Sequence, residues 1–230
     1  MTRASLVLAR VPAARLLRTP RAWLPIALWT LFAVVTALAA RSRGSASGAD
    51  HVMRGSFAFL VLPLLSYAIV GGVVGAGGLR RGIRGVVALG AEPRRAALAS
   101  VGVAVISAAL ACGVLAAVVC ALAHGAQDPP LSSDLPTSLW IGALGGGAYG
   151  AYFCAGSAIG KGTMRGVFLA LDWIVGAGSG FGALFTPRGH VHSLLGGPLC
   201  ADISQRASSI VLVAILCAYA AVALLLTRRA

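Results

Sequence analysis

Six long apolar stretches separated by short polar or basic intervals set the pattern of this chain. They cover about 22–40, 56–78, 96–123, 139–160, 166–186 and 208–227. A helix crosses a bilayer with roughly 20 mostly apolar residues, so each stretch predicts one span. The third is long enough to tilt or to begin in the interface, and Pro25 is tolerated near the start of the first. The prediction is an all-α integral membrane protein, a single transmembrane domain over residues 1–230 with six transmembrane helices. Ahead of the first span, residues 1–21 are rich in arginine, with Leu6, Ala13, Leu16 and Leu17 expected on one side. That mixture predicts an N-terminal amphipathic interfacial helix lying in the headgroup layer, made less regular by Pro12 and Pro20.

The intervals carry turn chemistry at Ser45–Gly48, Asp128-Pro129-Pro130 and Pro187-Arg188-Gly189. The longest on that side, 187–207, is predicted to dip back toward the membrane as a small helical cap. No interval leaves room for a soluble domain. The most distinctive one is Arg80–Arg95, with five arginines and one acid around an apolar middle. It is too basic to cross a membrane and too apolar for a plain linker. A short helix at the cytoplasmic surface, available to another protein, fits both properties.

Composition supports the membrane reading. Hydrophobic residues make up 58% and charged residues 11%, against about a quarter charged in soluble chains. A net charge of +13 suggests nucleic acid only until the cations are placed. They flank apolar runs, where arginine orients spans, so no nucleic-acid partner is expected. Residues 1–21, 79–95, 161–165 and 228–230 hold fourteen of the nineteen Lys and Arg; Arg41, Arg43, Arg54, Arg188 and Arg206 fall on the other side. The positive-inside rule then predicts both termini cytoplasmic. Ala37-Leu38-Ala39 superficially resembles a signal cleavage site, but the basic region is too long and the apolar run too near full membrane length.

Catalytic patterns come close and miss. Ala155–Thr163 has Gly160-Lys161 but lacks the first glycine and the final hydroxyl of a phosphate-binding loop, so Lys161 reads as an inner-face anchor. Gly176–Gly182 around Ser179 is similar to the serine motif of rhomboid proteases, but His192 follows without an intervening span. Metal ligation is not expected: His190 and His192 have no carboxylate or cysteine cluster and read as solvated loop residues. Cys112, Cys120, Cys154 and Cys217 lie in apolar runs as small hydrophobes, and Cys200 sits alone in a loop. Gly142, Gly146 and Gly150 recur every four residues, a smooth face for close helix packing within the chain or between copies. Asp172 is the one acid inside a span, a candidate intramembrane polar site expected to pair with Arg165 or Lys161.

Two stretches resemble the membrane subunit of ABC-2 type transporters. Leu16-Leu17-Arg18-Thr19-Pro20-Arg21-Ala22-Trp23-Leu24 is similar to that family's basic surface helix before the first span. Gly85-Val86-Val87-Ala88-Leu89-Gly90-Ala91-Glu92-Pro93-Arg94-Arg95 is similar to its loop after the second. Ala88 departs from the family pattern, where an acid is common. The resemblance implies a multi-pass permease of a bacterial inner membrane, an exporter whose coupling helix seats in a separate ABC ATPase subunit. Val86, Leu89, Glu92, Pro93, Arg94 and Arg95 would make that contact. It further implies a homodimer or pseudo-dimer of permease subunits, with ATP and Mg bound by the partner and no cofactor on this chain. The residues alone leave two other readings open: a non-catalytic membrane scaffold or assembly subunit, and a membrane enzyme using Asp172 or Ser179.

Overall fold

A computed structural model describes residues 3–160, 162–176 and 180–227, with side chains from Val7 onward. Lys161 and Ser179 lie outside the described residues. Those residues form helices and turns, with no strand among them. Four helical stretches among them are long and apolar enough to cross a membrane: Pro20–Ser42, Gly48–Ala88, Pro93–Ala123 and Gln205–Thr227.

Helix α1 (Arg3–Arg18) contains Pro12 and ends where Thr19 turns extended; Pro20 then starts α2 (Pro20–Ser42). Proline suits a first helical position because its missing N–H would be unpaired there anyway. Leu16 packs on the core, whereas Val7, Val11 and Leu17 are exposed. Leu16 and Leu17 therefore do not share a face, in contrast to the sequence expectation. Adjacent helical positions diverge by about 100°.

The second apolar stretch is built in three pieces: α3 (Gly48–Val52), a π-helical segment (Met53–Val61) and α4 (Leu62–Val74). Pro63 cannot donate to the Phe59 carbonyl four residues back, and the wider π turn lies immediately before it. The chain then reverses through Gly75 (φ 87°) and Gly78 (φ 81°) into α5 (Gly78–Ala88). A Cβ at Gly78 would lie 2.6 Å from the Ser157 carbonyl, so a side chain is excluded by space as well as by φ. After a turn at Leu89–Ala91, α6 (Pro93–Ala123) begins with proline at its first position.

The core centres on α7 (Leu131–Ala158), which packs against α6, α10 (Gln205–Thr227) and α4. It is glycine-rich and carries Ser138, Tyr149, Tyr152 and Ser157. Almost every residue from Ile141 to Ala158 is buried, so this part of the helix faces other helices and lipid-like apolarity is unnecessary; Tyr149 and Tyr152 donate to Asp172 and to the Phe168 carbonyl. Gly142, Gly146 and Gly150 all face α6. A Cβ at Gly142 would stand 2.6 Å from Ala116 Cβ, one at Gly146 2.6 Å from the Ala108 carbonyl, and one at Gly150 3.1 Å from Val105 Cα. With no hydrophobic drive between helices in lipid, such close backbone approach supplies the van der Waals contact that joins them.

The fifth apolar stretch is not one helix. After α7, α8 (Met164–Val175) has 12 residues, about 18 Å long against a hydrocarbon layer of about 30 Å. Gly176 ends it where a Cβ would meet the Asp172 carbonyl and Thr186 Oγ1 at 2.5 Å. A 3₁₀ turn (Phe181–Phe185) leads into α9 (Pro187–Leu194). This helix, hereafter the cap, packs against α10, α7 and the π segment, within the interval 187–207 where the sequence predicts a small helical cap.

Candidate functional site

One end of the bundle gathers α1, α5, the start of α6 and the ends of α4, α7 and α10. Its projecting feature is the turn after α5. Leu89 is 89% exposed, an isolated large apolar side chain between exposed Arg81, Arg84, Arg94 and Arg95. Val86 is half-buried. The short helix is Gly78–Ala88, so Glu92, Pro93, Arg94 and Arg95 belong instead to the start of α6. Glu92 pairs with Arg95 at 2.7 Å on the surface, where an ion pair contributes little.

Behind this tip α5 is firmly seated. Leu79 and Ile83 are buried in the core, and Arg80 Nη2 donates to the Leu226 carbonyl at 2.8 Å, tying α5 to the end of α10. Arg15 of α1 reaches across. Its Nη1 donates to the Val73 and Val74 carbonyls at 3.2 and 3.0 Å, and Nη2 to Gly82 at 3.0 Å. A guanidinium thus closes the carbonyls left open at the end of α4 and locks α1, α4 and α5 together.

The second polar centre is buried. Asp172 in α8 is fully buried and pairs with Arg188 of α9, Nε to Oδ2 at 3.2 Å. Arg165 is not its partner, and Lys161 lies outside the described residues. Tyr149 Oη of α7 donates to Asp172 Oδ2 at 2.8 Å, and the Arg188 amide donates to Oδ1 at 3.3 Å. Arg188 Nη2 donates to the Phe59 carbonyl at 2.8 Å, the acceptor that Pro63 leaves free. The guanidinium also lies 4.2 Å over the Phe59 ring, which stacks on Trp173. Four elements therefore converge on one ion pair. The signal available in the sequence was the lone acid itself: a buried carboxylate demands a cation, and Arg188 stands sixteen residues on.

Arg165 points elsewhere, 4.6 Å over the Tyr67 ring of α4. His190, expected in solvent, is buried and donates from Nε2 to the Leu184 carbonyl at 3.1 Å. Burial pulls its pKa below the ordinary value. His192 is also lowered, by burial and then by Arg188 and Arg54. Both are neutral near pH 7. Burial raises the Cys200 thiol, leaving it protonated. Among the described residues no three His, Cys, Asp or Glu side chains converge on a point where a metal ion could sit.

Comparison with family models, curated proteins and solved structures found no match. The basic tip and the buried ion pair therefore have to be interpreted from their own chemistry.

Proposed function

We propose that this chain is the permease subunit of an ABC-2 type exporter, with six crossings, both termini cytoplasmic, and α5 as the helix that a separate ATPase grips. The observation that carries this reading is the Leu89 tip. An 89% exposed leucine among four arginines is misplaced for lipid and for water, and fits a partner cleft with an apolar floor and an acidic rim. In this reading α8 and the turns after it make the fifth crossing, with α9 folded back as a re-entrant cap.

The packing gives such a grip a mechanical route. α5 touches α4, α6 and α7 and is hydrogen-bonded to the end of α10. A partner that closes on ATP and Mg would push α5 and, through these contacts, the helix ends around it. Cores and interfaces switch between discrete arrangements instead of deforming continuously, so a small displacement at α5 would tip the bundle between two packings. The buried Asp172–Arg188 pair fixes the opposite cap during that movement.

The test is affinity purification of the tagged full-length chain from native membranes in mild detergent, followed by mass spectrometry. A stoichiometric soluble protein with a phosphate-binding loop supports the reading. Recovery of the chain alone, or with membrane proteins only, refutes it in favour of a scaffold role.

A further inference from the structure

We propose that the cleft between α1, α2, α4 and α8 at the arginine-rich end holds one anionic phospholipid. Its phosphate would lie between Arg165 and Arg21, and its acyl chain along Trp29, Leu64 and Ala68.

The cleft is about 600 Å³, inside the range of natural ligand sites. Its wall is divided by chemistry. Pro25, Trp29, Leu64 and Ala68 form an apolar side, while Arg15, Arg21, Arg165 and Thr19 form a polar one. No acidic residue lines it among the described residues. Arg15 spends three of its five donors on backbone carbonyls and contributes mainly charge. Arg165 is different. Its Nε and Nη1 are buried without a hydrogen-bond partner among the described residues. A guanidinium in that state is costly unless an anion completes it. The face of Tyr67 holds it in position at 4.6 Å, and Gly71 leaves the space: a Cβ there would come within 3.2 Å of Arg165 Nη2.

The apolar side selects a lipid over a soluble phosphoester. Free phosphate would leave Trp29, Leu64 and Ala68 against water, whereas an acyl chain covers them. Beside the cleft, the adjoining face of α2 exposes Leu24, Leu28 and Leu31, an apolar surface onto which the acyl chain passes into the bilayer. Basic pockets between membrane helices hold anionic headgroups by this combination of charge and depth. The inference needs no ATPase and stands or falls independently of the transport reading.

The experiment uses the full chain in mild detergent with equal amounts of dioleoyl phosphatidylglycerol and dioleoyl phosphatidylcholine, and native mass spectrometry counts retained lipid. Expected is one phosphatidylglycerol per chain in preference to phosphatidylcholine. In Arg21→Gln/Arg165→Gln its retention falls about tenfold or more, the loss of two charge-assisted contacts, with phosphatidylcholine unchanged. Size-exclusion chromatography reports whether the double variant is intact. If it is not, Arg21→Gln alone, at an exposed position, carries the test with a smaller drop. Equal retention of both lipids, or unchanged phosphatidylglycerol in an intact arginine variant, overturns the proposal. Displacement of the lipid by millimolar glycerol phosphate also overturns it and identifies a soluble phosphoester site.

Discussion

Replacing Arg188 with methionine tests how much of the cap depends on one ion pair. The substitution leaves Asp172 fully buried with Tyr149 Oη and the residue 188 amide as donors, and it orphans the Phe59 carbonyl. Breaking a buried pair from one side costs about 3–5 kcal/mol. At roughly 2–4 °C per kcal/mol for a chain of this size, Tm falls by about 6–20 °C. Asp172→Leu produces a similar loss by leaving Arg188 unpaired. The double variant Asp172→Leu/Arg188→Met removes both charges and leaves the Tyr149 hydroxyl, the residue 188 amide and the Phe59 carbonyl orphaned. Each of those costs about 1–3 kcal/mol, so the double loses less than the two singles added together. Thermal unfolding in detergent measures the cycle. A local readout accompanies it: Cys200 is buried beneath α9, close to Gly189, so a water-soluble maleimide labels it faster in Arg188→Met. Singles that each lose under about 1 kcal/mol, or a double that equals their sum, would refute the claim that this pair holds α9 in place.

Leu89→Asp leaves stability within about 0.5 kcal/mol of wild type, because the side chain is exposed, yet it weakens ATPase association by about tenfold or more, the burial value of one leucine. Pull-down and stimulated ATP hydrolysis check this, and retained stimulation removes α5 as the docking helix. Gly146→Val drives a Cβ to within 2.6 Å of the Ala108 carbonyl and separates α6 from α7. A loss of about 1–3 kcal/mol is expected from overpacking, read by thermal unfolding. Stability of the cap falls as pH drops. His190 and His192 have folded pKa values below the ordinary 6.5, so the unfolded chain binds more protons and stability present above pH 6.5 is lost as pH falls through the folded values. Tm measured against pH in His190→Gln/His192→Gln shows a flatter profile.

Much of this protein follows from chain pattern alone. Runs of apolar residues with arginine at their edges specify membrane helices, since uncovered backbone and charge are not tolerated in lipid. Thr19-Pro20, Gly75–Gly78 and Glu92-Pro93 mark where α2, α5 and α6 begin, because proline and glycine act on the backbone locally. The four-residue glycine spacing in α7 signals a packing face for the same reason: it is a property of one helix. Which helix that face meets is not local, and only the folded bundle assigns it to α6. The fifth apolar stretch shows the difference most clearly. Its composition suits a span, but α8 stops at Val175, and the Gly176 backbone after it lies against Thr186, at the far end of the same stretch, and Arg188, beyond it. Asp172 advertised its need for a cation, and proximity in sequence favoured Arg165. Tertiary structure gave Arg165 to Tyr67 and brought Arg188 in from the cap, where the carbonyl freed by Pro63 could share it. Pairing at a distance is decided by which side chains the packed helices leave in reach, and hydropathy along a single chain carries no record of that.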